Sequence, residues 1–174
     1  MESRRYRVVA VGAKTPDILS KITQALSMQN YEIDTISSLR LGHSIVVICI
    51  VEATQNKESI RKCLEHIVKE YDLKLIVDLC ARDKYKFVKS DAYIRIRSHH
   101  ETGIKAYIIS ELINSGLDIH GLESDTYTEE HEQKFVMNIK GQAISGIESL
   151  YISADKLNKQ GINTTLATDW KLLV

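Results

Sequence analysis

The sequence predicts an α+β fold made of two copies of a βαββαβ unit, each a four-stranded antiparallel sheet with two helices on one face. Three observations carry this reading. Ile18, Ile22, Leu26 and Ile33 recur as Ile104, Ile108, Leu112 and Ile119, each 86 positions on, and the offset holds without a gap from Val8 and Ile94 to Ile36 and Leu122. An internal duplication of this length makes half the chain one structural unit. Within each half, β-branched runs alternate with apolar stripes of three- and four-residue period, so strands and helices succeed one another in a fixed order. The right-handed crossover rule then folds the string strand, helix, strand, strand, helix, strand into the ferredoxin-like architecture.

In the first half, Arg7-Val8-Val9-Ala10-Val11, ended by Gly12, reads as a buried strand and a turn. Ile18, Leu19, Ile22, Ala25 and Leu26 form one helical stripe, opened by Thr15 and Pro16 at N-cap and first-turn positions. Tyr31 to Leu41 alternates loosely, Gly42-His43 makes a turn, and Ser44 to Val51 is nearly continuous Ile and Val, so a hairpin follows. Ile60, Leu64, Ile67 and Val68 mark a second amphipathic helix, and Leu73 to Ala81 closes the half with a strand. The second half repeats the string: strand Tyr93 to Ser98, helix Ile104 to Asn114, hairpin Leu117 to Lys140, helix Ile144 to Lys159, strand Ile162 to Trp170. The expected domains are residues 1–84 and 91–174, joined by a linker over 85–90.

The first and third strands of each unit are central in this architecture, and the two halves differ there. Val8 and Ala10 alternate with Val9 and Val11, and residues 45–51 are apolar on both parities, which implies two buried faces where the helices cover one. The equivalents of Val9 and Val11 are Arg95 and Arg97, accompanied by Lys134, Asn138 and Lys140, so the second sheet has a wetter far face. The free face of the first sheet is therefore expected to meet another chain, and a homo-oligomer is the expected state.

Composition narrows the function. Of 174 residues, 44% are apolar and 26% charged, and Lys+Arg and Asp+Glu both total 23, so there is no strong electrostatic footprint for a phosphate backbone. No apolar stretch approaches a membrane span and no h-region follows the amino terminus, which predicts a cytoplasmic protein with no membrane partner. Cys49, Cys63 and Cys80 are widely separated, without a Cys-x-x-Cys, and read as small hydrophobes. The stretch from Arg82 to Arg97 interleaves basic residues with Tyr85, Phe87 and Tyr93, a composition shared by nucleic-acid grips and by linkers with solvated strand edges. RNA-binding modules of this strand order need aromatics on the central strands, and Val9, Val11, Val47 and Cys49 supply none in the first half. There is no Gly-x-Ser-x-Gly elbow, no phosphate loop around the lone Gly12 or Gly103, and no arginine-bearing anion nest in the first loop, so no catalytic residue and no enzyme activity is predicted. His99-His100-Glu101 lacks a third ligand at a metal-binding spacing and reads as loop contacts; His43 and His131 fall in or beside hairpin turns.

A duplicated unit of this kind, with the turn and helix start Lys14-Thr15-Pro16-Asp17-Ile18, resembles the ACT domain, a small regulatory module that binds amino acids. Two such units over nearly the whole chain, with no catalytic domain attached, are similar to the glycine cleavage system transcriptional repressor family. ACT domains often carry Asp-Arg-Pro-Gly between the first strand and helix. This chain splits that signature: the first half keeps Pro16 but has Asp17 at the glycine position, and the second keeps Gly103 but has Thr102 at the proline position. Asp17 places a negative charge where a bound carboxylate would sit, which favours the loop Ser98 to Ile104, with donors from His99 and His100, as the anion receptor. The family's asparagine–isoleucine pair at the second strand corresponds to Glu32-Ile33 and Asp118-Ile119, carboxylates that either meet a ligand's ammonium or are solvated strand starts.

The resemblance implies a transcriptional regulator responsive to a small amino-acid effector such as glycine, with no other cofactor, acting through a protein partner that would be a DNA-binding activator. A regulatory or structural subunit of a metabolic enzyme, having lost ligand binding, is the alternative that Asp17 leaves open.

Overall fold

The computed structural model describes residues 3–13, 15–80 and 89–169. The chain divides into two compact units, Met1–Tyr85 and Lys86–Val174. The first contains β1 (Arg4–Ala13), α1 (Ile18–Met28), β2 (Glu32–Leu41), β3 (Ser44–Ala53), α2 (Lys57–Glu70) and β4 (Lys74–Leu79). The second contains β5 (Ala92–His99), α3 (Ile104–Asn114), β6 (Leu117–Glu129), β7 (Glu132–Ala143), α4 (Ile147–Lys159) and β8 (Asn163–Ala167). The sheets run β2-β3-β1-β4 and β6-β7-β5-β8, every pairing antiparallel. This is the predicted α+β, ferredoxin-like topology in both halves. Of the sequence expectations, Lys14, Ala81, residues 85–88 of the linker and Trp170 lie outside the described residues.

Each unit has its own core between sheet and helices. In the first, Val8, Ala10, Val47, Cys49 and Val51 from the central strands pack against Ile18, Ile22 and Leu26 of α1 and Ile60 and Leu64 of α2. In the second, Ile94, Ile96, Phe135, Met137 and Ile139 pack against Ile108, Leu112, Leu150 and Leu157. The duplication extends to a defect in the ladder. Register shifts between Ile33 and Thr35 in the first unit and between Ile119 and Gly121 in the second, so Asp34 and His120 are the extra residues of equivalent bulges. A bulge resets the side-chain alternation, which is why Tyr31 to Leu41 alternates only loosely in sequence.

Several boundaries differ from the sequence reading, three of them with a clear cause. Gly12 does not end β1; it lies inside the strand, where a Cβ would come within 2.4 Å of the Leu73 side chain, so its role is close approach. Helix α4 begins at Ile147 because β7 runs on to Ala143, Ile144 donates its N–H to the Gly116 carbonyl at 2.8 Å, and Gly146 at φ 87° redirects the chain. Ile144 accordingly stands in solvent, 70% exposed. The last strand closes at Ala167 and is followed by a bend.

The outer faces of the two sheets differ as their sequences predict. On the first, Val9, Val11, Val46 and Ile50 are half-buried, Ile48 and Ile76 are 41% and 49% exposed, and Leu39 and Leu41 extend the apolar surface onto the edge strand. Arg5, held by Asp34 and by Glu52 at 2.7 Å, and Arg7, 3.1 Å from Asp78, close one end of that face. On the second sheet the same positions carry Arg95, Arg97, Lys134, Asn138 and Lys140.

Candidate functional site

In the second unit the end of β5, the start of α3 and the segment joining α4 to β8 surround a cavity of about 660 Å³. Ser98, His99, Glu101, Thr102 and Gly103 come from the first loop, Ile104 and Tyr107 from α3, and Gln160, Gly161 and Ile162 from the end of α4 onward. The topology forces this grouping, because a βαββαβ unit places the end of its first strand, the start of its first helix and the end of its second helix at the same edge.

Gly103 opens α3 at φ 89°, a left-handed conformation that a side chain resists, and no side chain caps the helix. The Ile104 N–H makes only a long 3.4 Å bond to the Glu101 carbonyl. The first-turn N–H groups lack intrahelical acceptors and carry the positive end of the helix dipole, so an anion is the natural occupant. Glu101 adds an exposed carboxylate at the same rim. Ile104, packed on the core, and buried Ile162 form the apolar floor. Tyr107 donates its hydroxyl to Gln160 Oε1 at 2.9 Å, tying α3 to the end of α4 across the cavity.

The equivalent corner of the first unit is arranged differently. Asp17 sits at the N-cap of α1 without capping it, and its Oδ2 accepts a 2.7 Å hydrogen bond from the Tyr71 hydroxyl at the end of α2. That bond pushes the Tyr71 phenol up to about 12. Thr15 lies before this turn with its Oγ1 buried and without a hydrogen-bond partner among the described residues, Pro16 is exposed, and Ile18 is buried in the core.

Of the predicted residues, the structure brings His99, Thr102, Gly103 and Ile104 together. His100 is outside the lining; its N–H bonds the Gln133 carbonyl at 2.8 Å, extending the strand pairing. His99 lies 3.2 Å from Glu132 through Nδ1. Asp118 and Ile119 stand at the far end of the sheet: Asp118 pairs with Gln142 and His99 with Lys134, a separation along β7 of about 26 Å. Asp118 contacts His120 at 3.5 Å and Ile119 packs on the core. In the first unit Glu32 pairs with Glu52 while Ala13 pairs with Ser44, so Glu32 and the core-packed Ile33 are likewise remote from the helix start. Within one unit, therefore, the strand-start carboxylates and the loop do not form a single receptor. Among the described residues no three His, Cys, Asp or Glu side chains are placed to hold a metal ion.

Tyr107, Gln160, Gly161 and Ile162 complete the cavity without having been singled out in the sequence. Their signal was topological: residues following the second helix must return to the first helix's start.

No protein-family model and no curated protein sequence matches the chain. Solved structures do. An unknown protein from Galdieria sulphuraria aligns over 97% of this chain and 99% of its own at 15% identity, with a TM-score of 0.76. A protein described as a "putative glycine cleavage system transcriptional repressor" aligns over 95% of this chain and 97% of its own at 11% identity, with a TM-score of 0.72. At these identities the likeness is one of fold, a βαββαβ unit in each half of the chain.

Proposed function

We propose that the chain is an amino-acid-responsive regulatory protein rather than an enzyme. A free amino acid, glycine by the family resemblance, occupies the cavity of the second unit and alters what the protein presents to a partner. The observation that carries this reading is a single cavity with complementary ends: the uncapped start of α3 for a carboxylate and Glu101 for an ammonium. The full-length likeness to the protein described as a repressor supports a role in controlling the glycine cleavage system. Zero net charge supports action through a protein, a DNA-binding activator by resemblance, over direct contact with nucleic acid. A ligand can shift partner affinity only as far as it binds the two states differently, ~1–3 kcal/mol in ordinary cases.

Titration calorimetry of the whole chain against a panel of free amino acids tests this. Heat of binding is expected from at least one, and Gly103→Asp, which places the first unit's carboxylate at the helix start, is expected to weaken it tenfold or more. A Cβ at Gly103 meets nothing within 4 Å, so the variant keeps its fold at a cost of about 1–2 kcal/mol for the left-handed backbone. Silence from every amino acid overturns the proposal.

A second reading, a regulatory or structural subunit of a metabolic enzyme, is favoured by the apolar outer face of the first sheet and by Asp17, already bonded to Tyr71. Retention of the partner by Gly103→Asp, with no amino acid altering it, would select that reading.

A further inference from the structure

We infer that Tyr107 and Gln160 make the cavity of the second unit selective for an amino acid whose side chain ends in a carboxamide, an inference that rests on the amino-acid-binding reading above. The Tyr107 hydroxyl spends its proton on Gln160 Oε1, 2.9 Å away. That leaves two N–H donors on Gln160 Nε2 beside the lone pairs of Tyr107 Oη, a donor and an acceptor next to each other on one wall. A carboxamide carries a carbonyl acceptor and an N–H donor in the same side-by-side arrangement and satisfies both. An aliphatic side chain satisfies neither and leaves the wall unpaired. A carboxylate has no proton for Tyr107 and satisfies only the Gln160 donors.

Size and position agree. A cavity of about 660 Å³ is in the range that encloses whole small molecules and is roomy for glycine. Tyr107 lies one helical turn beyond Gly103, about 6 Å along the axis, which is the reach of a short side chain from a carboxylate bound at the helix start. The pair belongs to the second unit alone: Lys21 stands at the position of Tyr107, and Tyr71, at that of Gln160, gives its hydroxyl to Asp17. Tyr107 and Gln160 are both exposed, so substituting them probes recognition rather than the core.

The test is calorimetry of the full chain with glutamine, asparagine, glutamate, methionine and glycine. Glutamine or asparagine is expected to bind about tenfold more tightly than methionine, the apolar side chain of similar length, and more tightly than glutamate. Tyr107→Phe and, separately, Gln160→Met are expected to bring the affinities for glutamine and methionine to within about twofold of each other, and thermal melts report folding of each variant. Binding that ignores the amide, or a preference that survives both substitutions, overturns this inference and leaves the sensor reading standing. Absence of binding by all five and by the wider panel overturns both.

Discussion

At the scale of single residues, the pairing of Asp17 with Tyr71 is the sharpest difference between the two copies. The neutral phenol donates to the carboxylate, and ionising it would forfeit that bond and set two negative charges together, which raises the Tyr71 pKa to about 12 from its ordinary 10.0. The stability this contributes is present below the ordinary tyrosine range and is lost as pH rises through the folded value. In an absorbance titration Tyr71, identified by its loss in Tyr71→Phe, should remain protonated at about pH 10.5, half a unit above an ordinary phenol. In Asp17→Asn its pKa should fall toward the ordinary value, the rest of the elevation coming from desolvation and Glu70, and an unchanged titration would show that Asp17 does not hold it. The sequence revealed half of this. Asp17 at the glycine position is visible by alignment of the halves, whereas Tyr71 lies 54 residues away and only the fold delivers it.

Among the elements, α3 and α4 are joined by a charged polar lock, where the helices of the first unit share the weaker bond from Cys63 Sγ to the Ala25 carbonyl at 3.1 Å. Glu111 accepts from Lys156 at 2.8 Å and from Ser153 at 3.3 Å, and buried Ser153 also meets Ser115. The Lys156 hydrogen bond holds the Glu111 carboxyl below its ordinary 4.5. With the folded value depressed, the contribution to stability is present above about pH 4.5 and is lost as pH falls through the lower folded value. Thermal melts between pH 3 and 7 should therefore show a shallower acid limb for Glu111→Gln than for the native chain, and parallel curves would remove the lock from the account. The strands and helices themselves were legible because core contacts impose periodicity, as in Ile18, Ile22 and Leu26. The lock was not, since Glu111, Ser153 and Lys156 also suit an exposed helix face. The start of α4 differs for a related reason: Ile144 continues the apolar stripe in sequence, but β7 runs on to Ala143 and Ile144 is held in the turn that follows by its bond to the Gly116 carbonyl.

For the molecule as a whole, duplication supplied two scaffolds of one topology, and their outer sheet faces have opposite characters. Sequence parity showed this directly, since Val9 and Val11 became Arg95 and Arg97. The cavity, by contrast, was legible only at its first loop, because its other wall comes from the segment after α4. Contiguous exposed apolar surface is a liability unless a partner covers it, and on the first sheet it includes Ile48 near the centre and Ile76 on the edge strand beside β1. If a second copy covers it about a two-fold axis, each residue of the face occurs twice in the contact, so one substituted charge becomes two desolvated charges facing each other. Ile48→Lys should then raise the dissociation constant of the assembly by far more than tenfold in sedimentation equilibrium. Its side chain lies outside the core cluster, so the melting curve of the separated protomer should hardly move. Arg97→Ala, on the polar face of the second sheet, should leave the mass distribution unchanged. A native chain that sediments as a monomer at high micromolar concentration would remove the second copy as the occupant and leave this face to a different protein.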